Sequence, residues 1–356
     1  MSDEHVQEIA RPDQEASPFG AADLPVDRTL KIAIWVVAGA LALVIAYLGW
    51  TYFSNANLKN TQSPAGRAVA NLAKIVEQSP GSVNARVKLA EALIANDQLD
   101  EAVAQLKAGL QIDKENASAL VDLGLIAMQR REWKTAESYW TELVGLLGKA
   151  EMAAKDQRLA DVYYYLGTTY VEMERYEDAV ANLKKSISIK RDSSPVHYML
   201  SVAYARLDLP EMQKQELEIV VAFDPKTAQA NYDLGLLALA SGDKAQAAEC
   251  FRIAADNAPE GVTQPQDELD KLGTASEHLA AATRLKVSEP KSALTEARIA
   301  AALDPASADA VKLVAELAEN TDDKSRALNA WQRYLELVPN DQTATDAIKR
   351  LSPDEQ

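Results

Sequence analysis

Small residues recur along this chain at Ala90, Gly124, Gly167, Ser201, Gly235, Ala281 and Ala315, and the intervals between them are 34, 43, 34, 34, 46 and 34 residues. Four of the six intervals are equal. The segments around four of these positions align as copies: "DLGLIAMQRREWKTAESYW" from Asp122, "YLGTTYVEMERYEDAVANL" from Tyr165, "MLSVAYARLDLPEMQKQEL" from Met199 and "DLGLLALASGDKAQAAECF" from Asp233. Twelve places after each small residue stands a second position, Ala102, Ala136, Ala179, Gln213, Ala247, Ala293 and Ala327, and only Gln213 breaks the run of alanines. A fixed period of this length must be recognised before any other feature, because it dictates an array rather than a globule.

The apolar residues within each period follow helical spacing, and no strand pattern appears. Two antiparallel helices approach closely only where their facing side chains are small, so glycine or alanine marks the crossing point on each helix. Pro80, Pro225, Pro259, Pro305 and Pro339 then close successive periods, since proline ends one helix and starts the next.

These positions resemble the tetratricopeptide repeat, a 34-residue helix-turn-helix unit with Leu-Gly in its first helix, alanine in its second and a terminal proline. The likeness covers about residues 83–341. It implies an all-α solenoid, a right-handed superhelix of seven units at 83–116, 117–159, 160–193, 194–227, 228–273, 274–307 and 308–341. Residues 54–82 are expected to form a linker and a half-repeat helix, and 342–356 a capping helix and tail, because the last unit of a solenoid has no neighbour to cover it. Departures are visible as well: Lys114 and Arg191 replace the proline, and Pro210 and Gln213 make the fourth unit irregular. Nine extra residues near 143–157 are expected to lengthen a helix pair. Twelve near 261–272 are expected to form a hinge.

"IAIWVVAGALALVIAYLGWTYF", Ile32 to Phe53, holds 22 residues without a charge. As a helix it would reach about 33 Å, enough for the hydrocarbon core of a bilayer, and it is too long for a cleaved signal. A transmembrane helix over 32–53 is therefore expected, preceded by a disordered acidic tail at 1–31. Arg28 and Lys31 beside the span favour a cytoplasmic N-terminus with extracytoplasmic repeats. Ala38, Ala42 and Ala46 share one face of the span and would permit a homo-oligomer.

In the repeat family the first helix of each unit faces inward, and residues beside its Leu-Gly pair form a concave groove. The resemblance thus implies that Tyr164, Tyr198 and Tyr232, spaced by 34, line a peptide-binding surface together with Val121, and one helical turn on with Leu125, Thr168, Val202 and Leu236. Tyr163, Leu166 and Tyr170 fall on packing positions. Members that grip a carboxylate use Lys and Asn here, whereas this chain has Val87 and Glu91, Val121 and Leu125, Tyr164 and Thr168. An apolar or amphipathic protein or peptide ligand is expected instead.

Catalytic patterns are absent from the sequence. "GLLGKA", at 145–150, has a superficial likeness to a phosphate loop but lacks its spacing, its Ser or Thr and its preceding strand. His5, His197 and His278 have no second ligand at zinc spacing, so no cofactor and no metal is expected. A net charge of −16 excludes a nucleic-acid partner, and the lone Cys250 suits a buried apolar position. The expected function is a membrane-tethered adaptor for assembly, secretion or envelope chaperoning; the alternative is a self-associating scaffold.

Overall fold

The computed structural model describes residues 63–149 and 153–352. Among the described residues there are only helices and their connections: α1 (Pro64–Gln78), α2 (Val83–Ala95), α3 (Leu99–Ile112), α4 (Ala117–Gln129), α5 (Trp133–Leu147), α6 (Gln157–Glu172), α7 (Tyr176–Ile189), α8 (Ser194–Arg206) and α9 (Pro210–Phe223) lead the array. It continues through α10 (Ala228–Ala240), α11 (Lys244–Asn257), α12 (Gln264–Asp270), α13 (Ala275–Leu285), α14 (Pro290–Leu303), α15 (Ala308–Asn320), α16 (Lys324–Leu337) and α17 (Gln342–Leu351), with one 3-10 turn at Ala153–Lys155. The fold is an all-α solenoid in which each helix packs chiefly on its neighbours in sequence.

The crossing points explain the period. A β-carbon on Gly124 would stand 2.6 Å from the Trp140 indole, one on Gly167 2.6 Å from Leu183, and one on Gly235 2.5 Å from Phe251. In each pair the large side chain lies 16 residues after the glycine. The same offset joins Ala90 to Leu106, Ser201 to Leu217, Ala281 to Ala297 and Ala315 to Trp331, and all seven distal residues are buried. At the three glycines the first helix makes room, and the residue 16 places on fills it from the second. The six alanines of the second helices are fully covered. Gln213 stays half-buried.

The turn inside six of the seven pairs is shared as well, the pair of α13 and α14 being the exception. Asp97, Arg131, Glu174, Asp208, Gly242 and Asp322 all take left-handed backbone conformations, five of them with φ between 57° and 59°. The residue after each sends its N–H back five places, as Gln98 does to the Leu93 carbonyl and Arg175 to that of Tyr170. This closes the first helix and aims the second antiparallel to it. Side-chain caps start many of the helices: Ser82 accepts from the Ala85 N–H, Asn116 from Ala119 and Asp341 from Ala344, while Thr274 and Glu277 form a reciprocal capping box.

Both insertions fall between pairs. The first supplies the connection containing the 3-10 turn, and α6 begins ten residues before Gly167 where α4 begins seven before Gly124. The second is not a loose hinge. It forms α12, whose Leu269 is fully buried, and it brings α11 against α14, the second helix of the following pair. Arg298 gives two hydrogen bonds to the Glu249 carboxylate, at 2.7 and 2.8 Å. Arg252 reaches the Ala302 and Leu303 carbonyls at the end of α14, at 2.7 and 3.2 Å. Phe251, Leu269 and Ile299 fill the space between. Elsewhere a second helix packs on the next first helix, as α7 does on α8 and α9 on α10.

One expectation is corrected. Among the described residues no helix is long and apolar enough to cross a membrane, so the single-pass localisation with extracytoplasmic repeats is not carried further. The longest described helix, α6, has 16 residues and spans about 24 Å, short of a bilayer core of about 30 Å. The other expectations for this end, the acidic tail at 1–31, the span at 32–53 and the linker up to residue 62, lie outside the described residues.

Candidate peptide-binding surface

The first helices of neighbouring pairs meet directly: α2 packs on α4, α6 on α8 and α13 on α15. Among second helices a comparable contact joins only α11 and α14. First helices of neighbouring pairs thus meet at three places along the array, and second helices at one, the α11–α14 junction.

Tyr164, Tyr198 and Tyr232 are all half-buried on these first helices. No ring contact joins the three to one another among the described residues; each packs within its own neighbourhood. Tyr164 leans on Tyr165 with ring centroids 5.4 Å apart, and Tyr165 stacks on Trp140 at 5.0 Å. Tyr232 tilts against Phe251 at 5.8 Å. The Tyr198 hydroxyl donates to Oδ2 of Asp233 across to the next first helix, at 3.2 Å. Burial and the adjacent carboxylate both push the Tyr198 hydroxyl well above the usual phenol range, so it remains a donor.

The positions one turn on divide. Leu125 and Leu236 are 38% and 40% exposed, large apolar side chains left open at the same phase of two units. Val202 is half-buried, as is Thr168, whose hydroxyl donates to the Tyr164 carbonyl at 3.0 Å. Val121, also half-buried, lines a cleft of about 340 Å³ between α2, α4, α5 and α6. Tyr163 and Tyr170 are engaged on another face of the helix, where Lys185 lies 5.3 Å from the Tyr163 ring and Arg175 4.3 Å from that of Tyr170.

Two residues missing from the expected surface prove informative. Asp122 and Asp233 each open an identical "DLGL" tetrapeptide. Asp233 is answered by Tyr198 and by the Gln229 side-chain amide at 3.2 Å. Asp122 has no such partners, and its Oδ2 is sealed from solvent without a hydrogen bond among the described residues. Burial first, and the Glu91 carboxylate second, push Asp122 up to about 6. The identity of the two tetrapeptides was the available signal; their different environments come from the first helix of the preceding unit and from the residue one turn earlier in the same helix.

His197 and His278 are held within the scaffold. Each ring has Nδ1 2.6 Å from a glutamate of the paired second helix, Glu216 and Glu296, and Nε2 against a backbone carbonyl six residues earlier. Among the described residues no group of three His, Cys, Asp or Glu side chains could hold a metal ion.

Residues 65–123, 160–193 and 214–262 each match the tetratricopeptide repeat. The chain carries tetratricopeptide repeats. The matches fall on α1 to α4, on α6 with α7, and on α9 to α11, so each takes in one whole helix pair described above, α2 with α3, α6 with α7 and α10 with α11. No curated protein matches the sequence. Solved structures to which the chain is similar include YrrB, a tetratricopeptide protein with an unusual peptide-binding site, at 20% identity over 55% of this chain and 95% of that one, TM-score 0.45. PilF from Pseudomonas aeruginosa is 15% identical over 75% and 97%, TM-score 0.43. The C-terminal part of a repeat protein from Cytophaga hutchinsonii is 15% identical over 83% and 99%, TM-score 0.47.

Proposed function

We propose that this protein is an adaptor whose seven repeat units, over 83–341, take up an extended apolar or amphipathic segment of a partner protein along their first helices. The observation that carries this reading is the exposure of Leu125 and Leu236 at one phase of the repeat, beside the half-buried tyrosine rings. Large aliphatic side chains left open at equivalent places of an array, with rigid aromatic rings next to them, form a row of anchor points for apolar side chains of a partner. Tyr164 and Tyr232 contribute ring surface and hydroxyls. Tyr198 contributes ring surface alone, because its hydroxyl is committed to Asp233.

The test is an array of immobilised peptides probed with the full chain and with a Leu125→Asp, Leu236→Asp variant. Binding to a subset of apolar peptides, reduced tenfold or more by the two aspartates at unchanged melting temperature, is the expected result. Equal binding by the variant, or no binding above background by either chain, overturns the reading.

A further inference from the structure

We propose that the cleft between α2, α4, α5 and α6 receives the cationic side chain of a lysine or arginine from the bound segment. This rests on the adaptor reading and adds the chemistry of one end of its surface.

The two "DLGL" copies differ in what answers their aspartates. At Asp233 the residue 35 places earlier is Tyr198 and the residue four places earlier is Gln229, and both donate to the carboxylate. At Asp122 the corresponding residues are Val87, which has no donor, and Ser118, which makes no bond to it. The same carboxyl group is thus compensated at one site and left without a partner at the other. A carboxylate with one oxygen buried and unanswered carries an uncompensated desolvation cost, and Asp122 lines the cleft, so a cation seated there has a gain to realise that it would not find at Asp233.

The surroundings specify the donor. Glu91 from α2 bears on Asp122 as a second negative charge, and Asp161 from α6 adds a third acid to the lining. The cationic group on the wall, Arg158, is spent on Asp156, giving Nε and Nη2 to its two oxygens at 3.1 and 2.7 Å. Lys190 stands 3.7 Å from Asp161. Val121, Leu143 and the Tyr165 ring complete the wall with apolar surface. Acidic groups over an apolar lining fit a charge at the end of a methylene stem, which is the build of lysine and arginine. Among the described residues no three His, Cys, Asp or Glu side chains are grouped so as to hold a metal ion, and an organic cation is the occupant to which the geometry points.

The test is selection of random dodecapeptides displayed on phage, carried out on the full chain and on Asp122→Asn and Glu91→Gln variants. The expected pool on the unaltered chain is rich in peptides with one Lys or Arg beside apolar residues. A synthetic peptide from that pool should bind at least tenfold more weakly to either variant, and so should its analogue with norleucine in place of the basic residue. Binding to the unaltered chain should also weaken as pH falls from 7.5 to 5, since protonation of Asp122, facing Glu91, Arg158, Asp161 and Tyr165, removes the charge the ligand meets. A pool of apolar peptides without basic residues overturns this inference and leaves the adaptor reading standing. Basic peptides that bind both variants equally place the cation elsewhere and overturn it too. An empty pool overturns both. Glu91 is exposed, so its variant remains informative if Asp122→Asn disturbs the fold.

Discussion

Gly124 lies so close beneath Trp140 that a methyl group in its place would stand 2.6 Å from the indole. The ring has nowhere to retreat: it is fully buried and stacked on Tyr165. Gly124→Ala is therefore expected to lower stability by about 1–3 kcal/mol through overpacking. Gly145→Ala in α5, where a β-carbon meets nothing within 4 Å, should raise it by about 0.5–1 kcal/mol, the usual gain for alanine within a helix. Urea denaturation of the two variants checks both signs, and equal midpoints would refute the crossing-point account.

Glu174 occupies the left-handed turn position at φ 58°, a conformation that costs a side-chain-bearing residue about 1–2 kcal/mol. Gly242 holds the equivalent place without that cost. Glu174→Gly should therefore stabilise the protein by several tenths of a kcal/mol, the relief of strain exceeding the added entropy of the unfolded chain. Gly242→Ala should do the opposite. Thermal melting of both variants reads the pair.

At the junction of α11 and α14, Arg298→Met keeps the apolar stem and removes both bonds to Glu249. The Arg298 side chain is only 12% exposed whereas Glu249 is 41% exposed, so water screens part of the interaction and a loss of about 1–2 kcal/mol is expected. Because an array is stabilised by its nearest-neighbour interfaces, the loss should fall on one side. Hydrogen exchange should speed up in α13 to α16 while α4 to α8 keep their protection; uniform acceleration would argue against a local junction.

The raised pKa of Asp122, about 6, makes a signed prediction. A carboxyl group whose folded value exceeds its unfolded value near 4 favours the folded state fully below pH 4, and this contribution is lost as pH rises through 6. The wild-type chain should thus be penalised at pH 7.5 relative to pH 4.5 by more than the Asp122→Asn variant, on the order of 1 kcal/mol after screening. Denaturation midpoints of the two chains at both pH values isolate the group, since every other carboxylate is common to them.

Cys250 is buried, and its thiol is pushed up to about 11, chiefly by burial. Little thiolate forms at neutral pH and little of it can be reached. A maleimide should label the folded protein many times more slowly than the protein in 6 M guanidinium; comparable rates would show that α11 opens readily.

The period, the helix pairs and the small crossing residues were legible because they are set by local geometry: alanine at Ala136 and glycine at Gly124 each follow from how near two helices must pass. The offset from Gly124 to Trp140 was equally present in the letters, yet it takes the three-dimensional crossing to show which large residue fills the gap. What the sequence concealed arises between units. The role of Tyr198 depends on Asp233 standing opposite its hydroxyl, and the state of Asp122 on Val87 lacking one. The packed junction at Leu269 could not be foreseen either, because a twelve-residue insertion reads the same in sequence whether it hangs free or redirects the helices on either side.

The constant offset of 16 residues across all seven pairs has a bearing on how such a chain can change in length. Losing one residue between Gly124 and Trp140 would rotate the second helix by about 100° relative to the first and swing the indole out of its socket. The inner turn is thus a fixed gauge, intolerant of even a single addition or deletion. Spare length is driven outward to the stretches joining one pair to the next, and there, near 143–157 and 261–272, both departures from the 34-residue measure are found.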